Sequence, residues 1–182
     1  GLLVPDNANP YFAELARAIE DVAYQQGYAL VLANSNNDPA RARVQLLALL
    51  DRQVDGLLLI STANGGELSA ATHATTPVVF LDRAPASSAL PSVVVYNAQG
   101  ADYATSHLVE VHGLDVDCFA GREQVASAEE RVAGWRRAMQ RAGRATSDRL
   151  HRTAFSREEG YVTMARLIAS GRVPQAIFAS SD

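Results

Sequence analysis

The chain has 182 residues, of which 48% are hydrophobic, 7% aromatic and 20% charged. Its 16 Lys and Arg residues and 20 Asp and Glu residues give a formal net charge of −4, without the basic excess that binding to nucleic-acid phosphates requires. No run approaches the ~18 consecutive apolar residues of a membrane helix, and the single cysteine, Cys118, excludes an internal disulfide. This composition is typical of a folded α/β or α+β protein, which we expect to be intracellular.

Short apolar runs alternate with segments of helical periodicity along the whole chain. The predicted strands are 2–4, 29–33, 54–60, 78–81, 92–96, 116–120, 150–154 and 175–179. Two predicted helices begin at Asn9-Pro10 and Asp38-Pro39, where Asn or Asp caps the helix and Pro takes its first position. The other predicted helices are 66–74, 100–111, 128–142 and 157–170. Uniformly apolar strands that alternate with helices predict an α/β fold with doubly wound parallel sheets.

Two predictions concern buried side chains. In the helix after Asp38, Val44, Leu47 and Leu50 recur at spacings of three residues and are expected to face the sheet. Cys118 lies in the middle of an apolar strand, and we expect it to be a buried small hydrophobic residue.

The chain is predicted to form two lobes. A Pro- and Ser-rich passage at 84–91 leads into an extended run, and this is the best candidate for the boundary. We assign residues 1–97 to an N-terminal lobe and 98–182 to a C-terminal lobe that we expect to be truncated in this chain. The sequence contains no internal repeat beyond the alternation of strands and helices.

Chemically useful side chains follow several predicted strands. In open α/β sheets, ligands bind beyond the carboxyl ends of the strands. The candidates are Asn9, Tyr11, Phe12, Asp82 and Arg83 in the first lobe and Arg131, Phe155 and Asp182 in the second. Aromatic faces combined with carboxylate, guanidinium and amide groups suit a small polyhydroxylated ligand. Each residue type also has a structural interpretation, as a core aromatic, a turn residue or part of a solvated helix face, and the sequence leaves that choice open.

Motifs for several enzyme chemistries are missing from the sequence. It contains no dinucleotide-binding glycine fingerprint, no phosphate-binding loop with Gly-Lys-Ser/Thr, and no Gly-x-Ser-x-Gly nucleophile turn. His107 and His112 lack the glutamate of a zinc-binding helix, and we interpret them as ordinary helix residues. We therefore predict no cofactor, no metal site and no catalytic residue. A carboxylate pair formed by Asp6 and Asp82 is conceivable, but neither has a recognisable acid–base partner.

Seven segments together carry a resemblance to one protein family. They are Gly1-Leu2-Leu3-Val4-Pro5-Asp6, Asn9-Pro10-Tyr11-Phe12, 27–34, Arg52-Gln53-Val54-Asp55-Gly56-Leu57-Leu58-Leu59, Pro77-Val78-Val79-Phe80-Leu81-Asp82-Arg83, 127–135 and Ala176-Ile177-Phe178-Ala179-Ser180-Ser181-Asp182. In these segments the chain resembles the effector-binding core of the LacI/GalR family of bacterial transcription regulators. The resemblance covers essentially the whole chain.

The resemblance implies a fold and a function. The fold would consist of two doubly wound parallel-sheet lobes of the periplasmic-binding-protein-like type I kind, with the second lobe incomplete. The function would be that of a non-enzymatic, cytoplasmic repressor whose small effector, a sugar or sugar derivative, binds between the lobes. Coupling to operator DNA would pass through a helix-turn-helix that is absent from this chain. The partners implied are the effector, operator DNA and a second copy in a homodimer, without a membrane.

Residue-by-residue matching to the family implies a role for each candidate. Asn9, Tyr11 and Phe12 would line the wall of the first lobe. Asp82 would accept hydroxyl hydrogens, with Arg83 beside it. From the second lobe Arg131 would clamp the ligand, Phe155 would cover one face of it, and Asp182 would close the pocket.

The sequence departs from the family pattern at three places. Ser181 replaces the usual Asn, Tyr96 replaces the Asp that usually precedes Asn97, and Arg122 replaces a common Pro. Two alternative functions stay open. One is a periplasmic sugar-binding protein of a transporter, which a signal peptide upstream would favour. The other is an α/β sugar-phosphate enzyme, which turnover of a bound sugar would reveal.

Overall fold

The chain divides into two units, Gly1–Val95 and Tyr96–Asp182. A computed structural model describes residues 1–61, 75–85, 88–123 and 125–181. Each unit contains a parallel sheet and helices, which confirms the predicted α/β class. The assignment of the units as lobes of a ligand-binding domain, divided at residues 97 and 98, stays a prediction.

The first unit is built on a five-stranded parallel sheet. Its strands are β1 (Leu2–Val4), β2 (Leu32–Asn34), β3 (Leu57–Leu59), β4 (Val78–Asp82) and β5 (Ser92–Val94). Their order in the sheet is β2-β1-β3-β4-β5. Because every neighbouring pair is parallel, all the carboxyl ends lie at one edge of the sheet.

Two capped helices cover this sheet: α1 (Pro10–Gln25) and α2 (Pro39–Asp51). The Asn9 Oδ1 accepts a hydrogen bond from the backbone N–H of Tyr11 at 3.0 Å. The Asp38 Oδ1 accepts hydrogen bonds from the first backbone N–H groups of α2 at 2.8 and 3.3 Å. These contacts confirm both predicted helix starts, because each side chain satisfies donors that the helix itself leaves unpaired.

The side chains of β1 alternate between the two faces of the sheet. Leu2 and Val4 pack with Phe12 of α1, whereas Leu3 packs with Leu46 of α2. A strand turns successive side chains to opposite faces, so one short strand supplies two cores. Helices on both faces are the doubly wound arrangement that the uniformly apolar strands predict.

The predicted buried face of α2 is wrong at two of its three residues, whereas the third, Leu50, is partly buried against the core. Val44 and Leu47 are 64% and 43% exposed. The buried residues of the helix are Ala42, Leu46 and Leu49. The helix carries leucines on two neighbouring stripes about 100° apart, so spacing alone does not determine which stripe faces the sheet. Packing against β1 and β3 selects the stripe with the small residue Ala42 at one end.

Several predicted strands are longer than the observed ones. The run 54–60 pairs only over Leu57–Leu59, and 92–96 only over Ser92–Val94. The second strand begins later than predicted and pairs with β1 at Leu32–Asn34. Apolar composition extends beyond the residues that reach a hydrogen-bonding neighbour, which explains the difference. The helix predicted at 66–74 lies outside the described residues.

The second unit contains a smaller sheet of three parallel strands. These are β6 (Val116–Ala120), β7 (Leu150–Arg152) and β8 (Ala176–Ala179), in the order β7-β6-β8. Its α-helices are α3 (Asn97–Ser106), α4 (Ala126–Arg141) and α5 (Arg157–Ala169). The single helix predicted at 100–111 instead begins at Asn97 and changes to a π-helix over His107–Val111.

A core on one face of β6 joins this sheet to α4. Trp135 and Met139 of α4 are fully buried against Val116 and Cys118. The indole Nε1–H of Trp135 donates to the backbone oxygen of Val116 at 3.0 Å, so its one polar atom is satisfied. Burial raises the pKa of the Cys118 thiol to about 12. Cys118 is therefore the buried hydrophobic residue that the sequence predicts.

An ion-pair network joins α3 to α4. The Asp102 carboxylate lies 3.0 Å from the Arg137 Nε and 3.0 Å from the Arg141 Nη2. Burial opposes ionisation of Asp102, but hydrogen bonds and charge from Arg141 and Arg137 outweigh it and hold the pKa of that carboxyl below its ordinary value. The ionised carboxylate therefore helps to hold the two helices together.

The Asp102 network makes the stability of the second unit depend on pH. Because the pKa is lower in the folded state, the stabilisation is complete above the ordinary carboxyl pKa and is lost as pH falls through the folded-state pKa. We expect Asp102→Asn to lower the free energy of unfolding most at neutral pH. The gap between variant and parent should close toward about pH 3. Urea titrations across this range measure the gap, and a gap that stays constant would contradict the role of Asp102.

Candidate functional site

The candidate site in the first unit lies at the carboxyl edge of its sheet. Strand β4 ends at Asp82, and α1 starts shortly after the end of β1. Asp82 is only 7% exposed and has a φ of +57°. This left-handed backbone conformation is uncommon for a residue with a side chain, and Asp82 adopts it at the end of a buried strand.

Asp82 is the centre of a compact group of side chains. Its Oδ2 accepts a hydrogen bond from the Nε of Arg83 at 3.1 Å, and its Oδ1 accepts one from the Tyr11 hydroxyl at 3.3 Å. The Arg83 guanidinium lies over the Phe12 ring, 5.4 Å from its centroid. The Tyr11 and Phe12 rings meet edge to face at 5.1 Å between centroids. Four of the predicted site residues are thus brought together within the first unit.

Arg83 retains unused hydrogen-bonding capacity in this group. The residue is 8% exposed, and its buried Nη1 has no hydrogen-bond partner among the residues that the structure describes. A buried cationic donor without an acceptor is costly. A ligand hydroxyl or other oxygen placed there would supply the missing acceptor, and the ring of Phe12 would keep the guanidinium in place.

The candidate site in the second unit centres on Arg131 in α4. Its Nε donates to the Asn97 Oδ1 at 2.8 Å, and its Nη1 donates to the backbone oxygen of Ser180, just beyond β8. The Asn97 Nδ2 donates in turn to the Glu130 Oε2 at 2.9 Å. The guanidinium is thus tied to the start of α3 and to the carboxyl end of the sheet, rather than extended into solvent.

Phe155 lies at the same edge of the second sheet, after β7. Its ring is so close to Gly121 that a Cβ at position 121 would lie 2.1 Å from the Phe155 Cζ. The Arg152 Nη1 donates to the backbone oxygen of Gly121 at 3.0 Å and lies 2.6 Å from the Glu129 Oε1. The absence of a side chain at Gly121 is what allows the ring to occupy this position.

The remaining predicted residues have different positions. Asn9 caps α1 through its Oδ1, and the capped turn carries Tyr11 and Phe12 to the end of β4. Phe12 is itself a core residue that packs with Leu2 and Val4. Tyr11 is 41% exposed and has more surface to offer a ligand. Asp182 lies outside the described residues.

Sequence reasoning missed the partners of Arg131. In the sequence, Glu130 lies beside Arg131 in a charge run typical of a solvated helix face, and Asn97 stands out only as the residue that follows Tyr96. Ser180 is buried, and its hydroxyl finds no hydrogen-bond partner within the described part of the chain. The one signal that could have found these residues is that Asn97 and Ser180 border predicted elements whose ends converge at the same edge of a sheet.

Two other kinds of site are not found in the described part of the chain. It holds no group of three or more His, Cys, Asp or Glu side chains that could bind a metal ion. The rings of His107 and His112 meet edge to face at 5.1 Å between centroids. Among the helices of residues 1–61, 75–85, 88–123 and 125–181, none is long and apolar enough to cross a membrane.

Residues 1–182 match the family described as periplasmic binding proteins and sugar binding domain of LacI family. The match covers the full sequence. The chain belongs to this family. The LacI/GalR resemblance carried by the sequence motifs is therefore confirmed.

The chain is similar to bacterial repressors. The ribose operon repressor of Escherichia coli K12 is 32% identical over 186 residues, an alignment that covers 100% of this chain and 56% of the repressor. The repressor PurR of Histophilus somni is 31% identical over the same length, with the same coverage. The chain thus spans about half the length of these relatives.

Solved structures share the fold. The Cra regulator of Pseudomonas putida, in complex with fructose 1-phosphate, has a TM-score of 0.89 and 25% identity, and the match covers 100% of this chain and 68% of that one. The regulator CcpA of Lactococcus lactis has a TM-score of 0.87 and 24% identity, with 100% and 67% of the two chains covered. At this identity, the likeness to CcpA concerns the fold alone.

Proposed function

We propose that this chain is the effector-sensing part of a LacI/GalR-like transcriptional repressor and that it has no enzymatic activity. A small sugar-like effector would bind between the two units, held by the Asp82 group on one side and by Arg131 on the other. The complete protein would work in the cytoplasm as a homodimer and would bind operator DNA through a helix-turn-helix outside this chain. Family membership and the names of the repressor relatives support the regulatory role.

The observation that carries the ligand-binding proposal is the geometry at Asp82. The Asp82 carboxylate is buried, it is bonded to Arg83 and Tyr11, and its residue adopts a left-handed backbone conformation. This conformation costs free energy, and such strained residues concentrate at functional sites. The Nη1 of Arg83, which lacks a hydrogen-bond partner among the described residues, adds a donor that an oxygen of the ligand would satisfy. Carboxylate, guanidinium and phenol beside an aromatic ring match the alternating polar and apolar surface of a sugar.

Regulation would follow from differential affinity. An effector that touches both units binds one of their relative arrangements better than another and so shifts the population toward it. DNA-binding segments attached to the first unit would experience that shift in a dimer with symmetric half-sites. By linkage, operator DNA would change effector affinity by the same factor. Whether the effector induces or co-represses depends on which arrangement it favours.

The family also contains periplasmic binding proteins, so a transport role is the second candidate. The repressors among the relatives favour regulation. The natural sequence upstream of Gly1 distinguishes the two: a helix-turn-helix supports the regulator, and a signal peptide supports the transport protein.

A thermal-shift screen of the protein at its full natural length tests the proposed function. D-ribose, fructose 1-phosphate, D-sorbitol and guanine are suitable probes. A compound that binds only the folded state raises the Tm, and the stabilisation grows with the logarithm of one plus its concentration over Kd. We expect at least one of these probes to do so, and no shift from any of them would count against the site.

Arg131→Met supplies the matching variant. Loss of a charged hydrogen bond to the effector should weaken binding by about 1.5–3 kcal/mol, and the thermal shift should shrink accordingly. Methionine retains much of the apolar stem, so the helix should stay folded. A thermal shift as large as that of the parent would show that Arg131 does not contact the effector and has only a structural role in α4.

A further inference from the structure

The amide of Asn97 is held between two side chains of opposite charge. Its Nδ2 donates to the carboxylate of Glu130 at 2.9 Å, and its Oδ1 accepts from the Nε of Arg131 at 2.8 Å. Asn97 is only 7% exposed, although it is the first residue of α3. Glu130 and Arg131 are neighbours in α4, but consecutive helical side chains point about 100° apart, so Asn97 bridges them.

This arrangement permits one orientation of the amide. Rotating the amide by half a turn would place its N–H groups against the Arg131 Nε–H and its oxygen against the Glu130 carboxylate. Both contacts would then be repulsive, donor against donor and acceptor against acceptor. The Glu130 carboxylate therefore keeps the Asn97 oxygen turned toward Arg131. Glu130 acts on the guanidinium indirectly, through the amide of Asn97.

The consequence concerns the orientation of the Arg131 guanidinium. An arginine side chain has roughly 2 kcal/mol of rotamer entropy to lose when it is ordered. Two contacts order it here, the Asn97 Oδ1 at Nε and the backbone oxygen of Ser180 at Nη1. Fixing Nε together with one Nη sets the plane of the whole guanidinium and so aims its remaining N–H donors.

We propose that Glu130 and Asn97 are positioning residues that pre-orient the Arg131 guanidinium for the effector. The proposal rests on the proposed function, in which Arg131 contacts the ligand. Glu130 fixes the amide of Asn97, Asn97 fixes the Nε of Arg131, and the effector meets a guanidinium whose ordering is already complete. Such pre-organisation raises affinity without adding a contact to the ligand.

The variants Glu130→Ala and Glu130→Gln separate this role from a general structural one. Glutamine still presents an oxygen that accepts from the Asn97 Nδ2, whereas alanine removes that acceptor and leaves the orientation of the amide less strongly fixed. Glu130 is exposed on α4, so both substitutions should fold. We expect Glu130→Ala to weaken binding of the strongest probe in the thermal-shift panel by about fivefold to tenfold, the equivalent of one lost hydrogen bond. Glu130→Gln should stay within about twofold.

Hydrogen exchange of the Arg131 Nε–H measures the positioning directly, in the effector-free protein at its full natural length. The resonance is assigned by its loss in Arg131→Lys. We expect exchange to be slow in the parent and in Glu130→Gln, and about tenfold faster in Glu130→Ala. Equal exchange in Glu130→Ala and the parent would overturn the positioning role. So would faster exchange with unchanged probe affinity.

These failures differ from failure of the proposed function. If Arg131→Met leaves the thermal shift intact, the effector does not use Arg131 and the proposed function fails at this residue. If Arg131→Met reduces the shift while Glu130→Ala does not, effector binding stands and the positioning inference falls.

Discussion

Replacing Asp82 by alanine is expected to lower the free energy of unfolding by about 3–5 kcal/mol, the usual cost of removing one partner of a buried ion pair. Arg83 would remain buried with its Nε unpaired, in addition to an Nη1 that already lacks a partner. Alanine also fits poorly at a φ of +57°. The same substitution removes the proposed acceptor for effector hydroxyls, so stability and binding should fall together.

Two further variants separate these effects. Asp82→Asn keeps an oxygen for Arg83 and tolerates the left-handed backbone, so it should cost less stability than alanine while still weakening effector binding. In the double variant Asp82→Asn with Arg83→Met, both charges are removed, and most of the stability should return. Chemical denaturation measures all three. If Asp82→Ala were as stable as Asp82→Asn, the buried pair would not carry the energy assigned to it.

The second large effect is expected from Gly134→Ala. A Cβ at position 134 would lie 2.1 Å from the backbone oxygen of Ala98 and 2.9 Å from the backbone nitrogen of Asp102. These are main-chain atoms of α3, so no side-chain rotation relieves the overlap, and α3 and α4 must separate. We expect a loss of about 3 kcal/mol in the free energy of unfolding, at the upper end of overpacking costs.

Gly100→Ala is the matched control on the facing helix. Gly100 lies in α3, and a Cβ there would meet no atom within 4 Å. Alanine at this helical position should raise stability by about 0.4–1 kcal/mol. Urea unfolding of the two variants should therefore shift in opposite directions. A Gly134→Ala protein as stable as the parent would show that the close approach of the helices is not required.

The elements with a local cause were predictable from the sequence. Asn9 and Asp38 cap their helices by contacts within three residues, so the sequence itself contains the reason. The position of Asp82 at the carboxyl edge of the sheet was predictable because a buried apolar strand ends there, and parallel strands present their carboxyl ends at one edge. The buried stripe of α2 could not be predicted in this way. The helix carries leucines on two stripes, and packing against the sheet determines that Leu46 is buried and Leu47 exposed.

The contacts that organise the site depend on residues far apart in the chain. Arg131 reaches Asn97 across 34 residues and Ser180 across 49. In the sequence, Glu130 belongs to a charge run typical of a solvated helix face, and nothing local distinguishes it from Glu129. Only the approach of α3 to α4, which Gly134 permits, gives Glu130 a partner.

The proposed function requires that a single effector molecule contact both Asp82 and Arg131. Calorimetric titration of the protein at its full natural length, with the probe that gives the largest thermal shift, tests this most directly. We predict one site per chain and an affinity that falls in both Asp82→Asn and Arg131→Met. A probe that binds one site per chain with an affinity unchanged by either substitution would contradict a shared ligand.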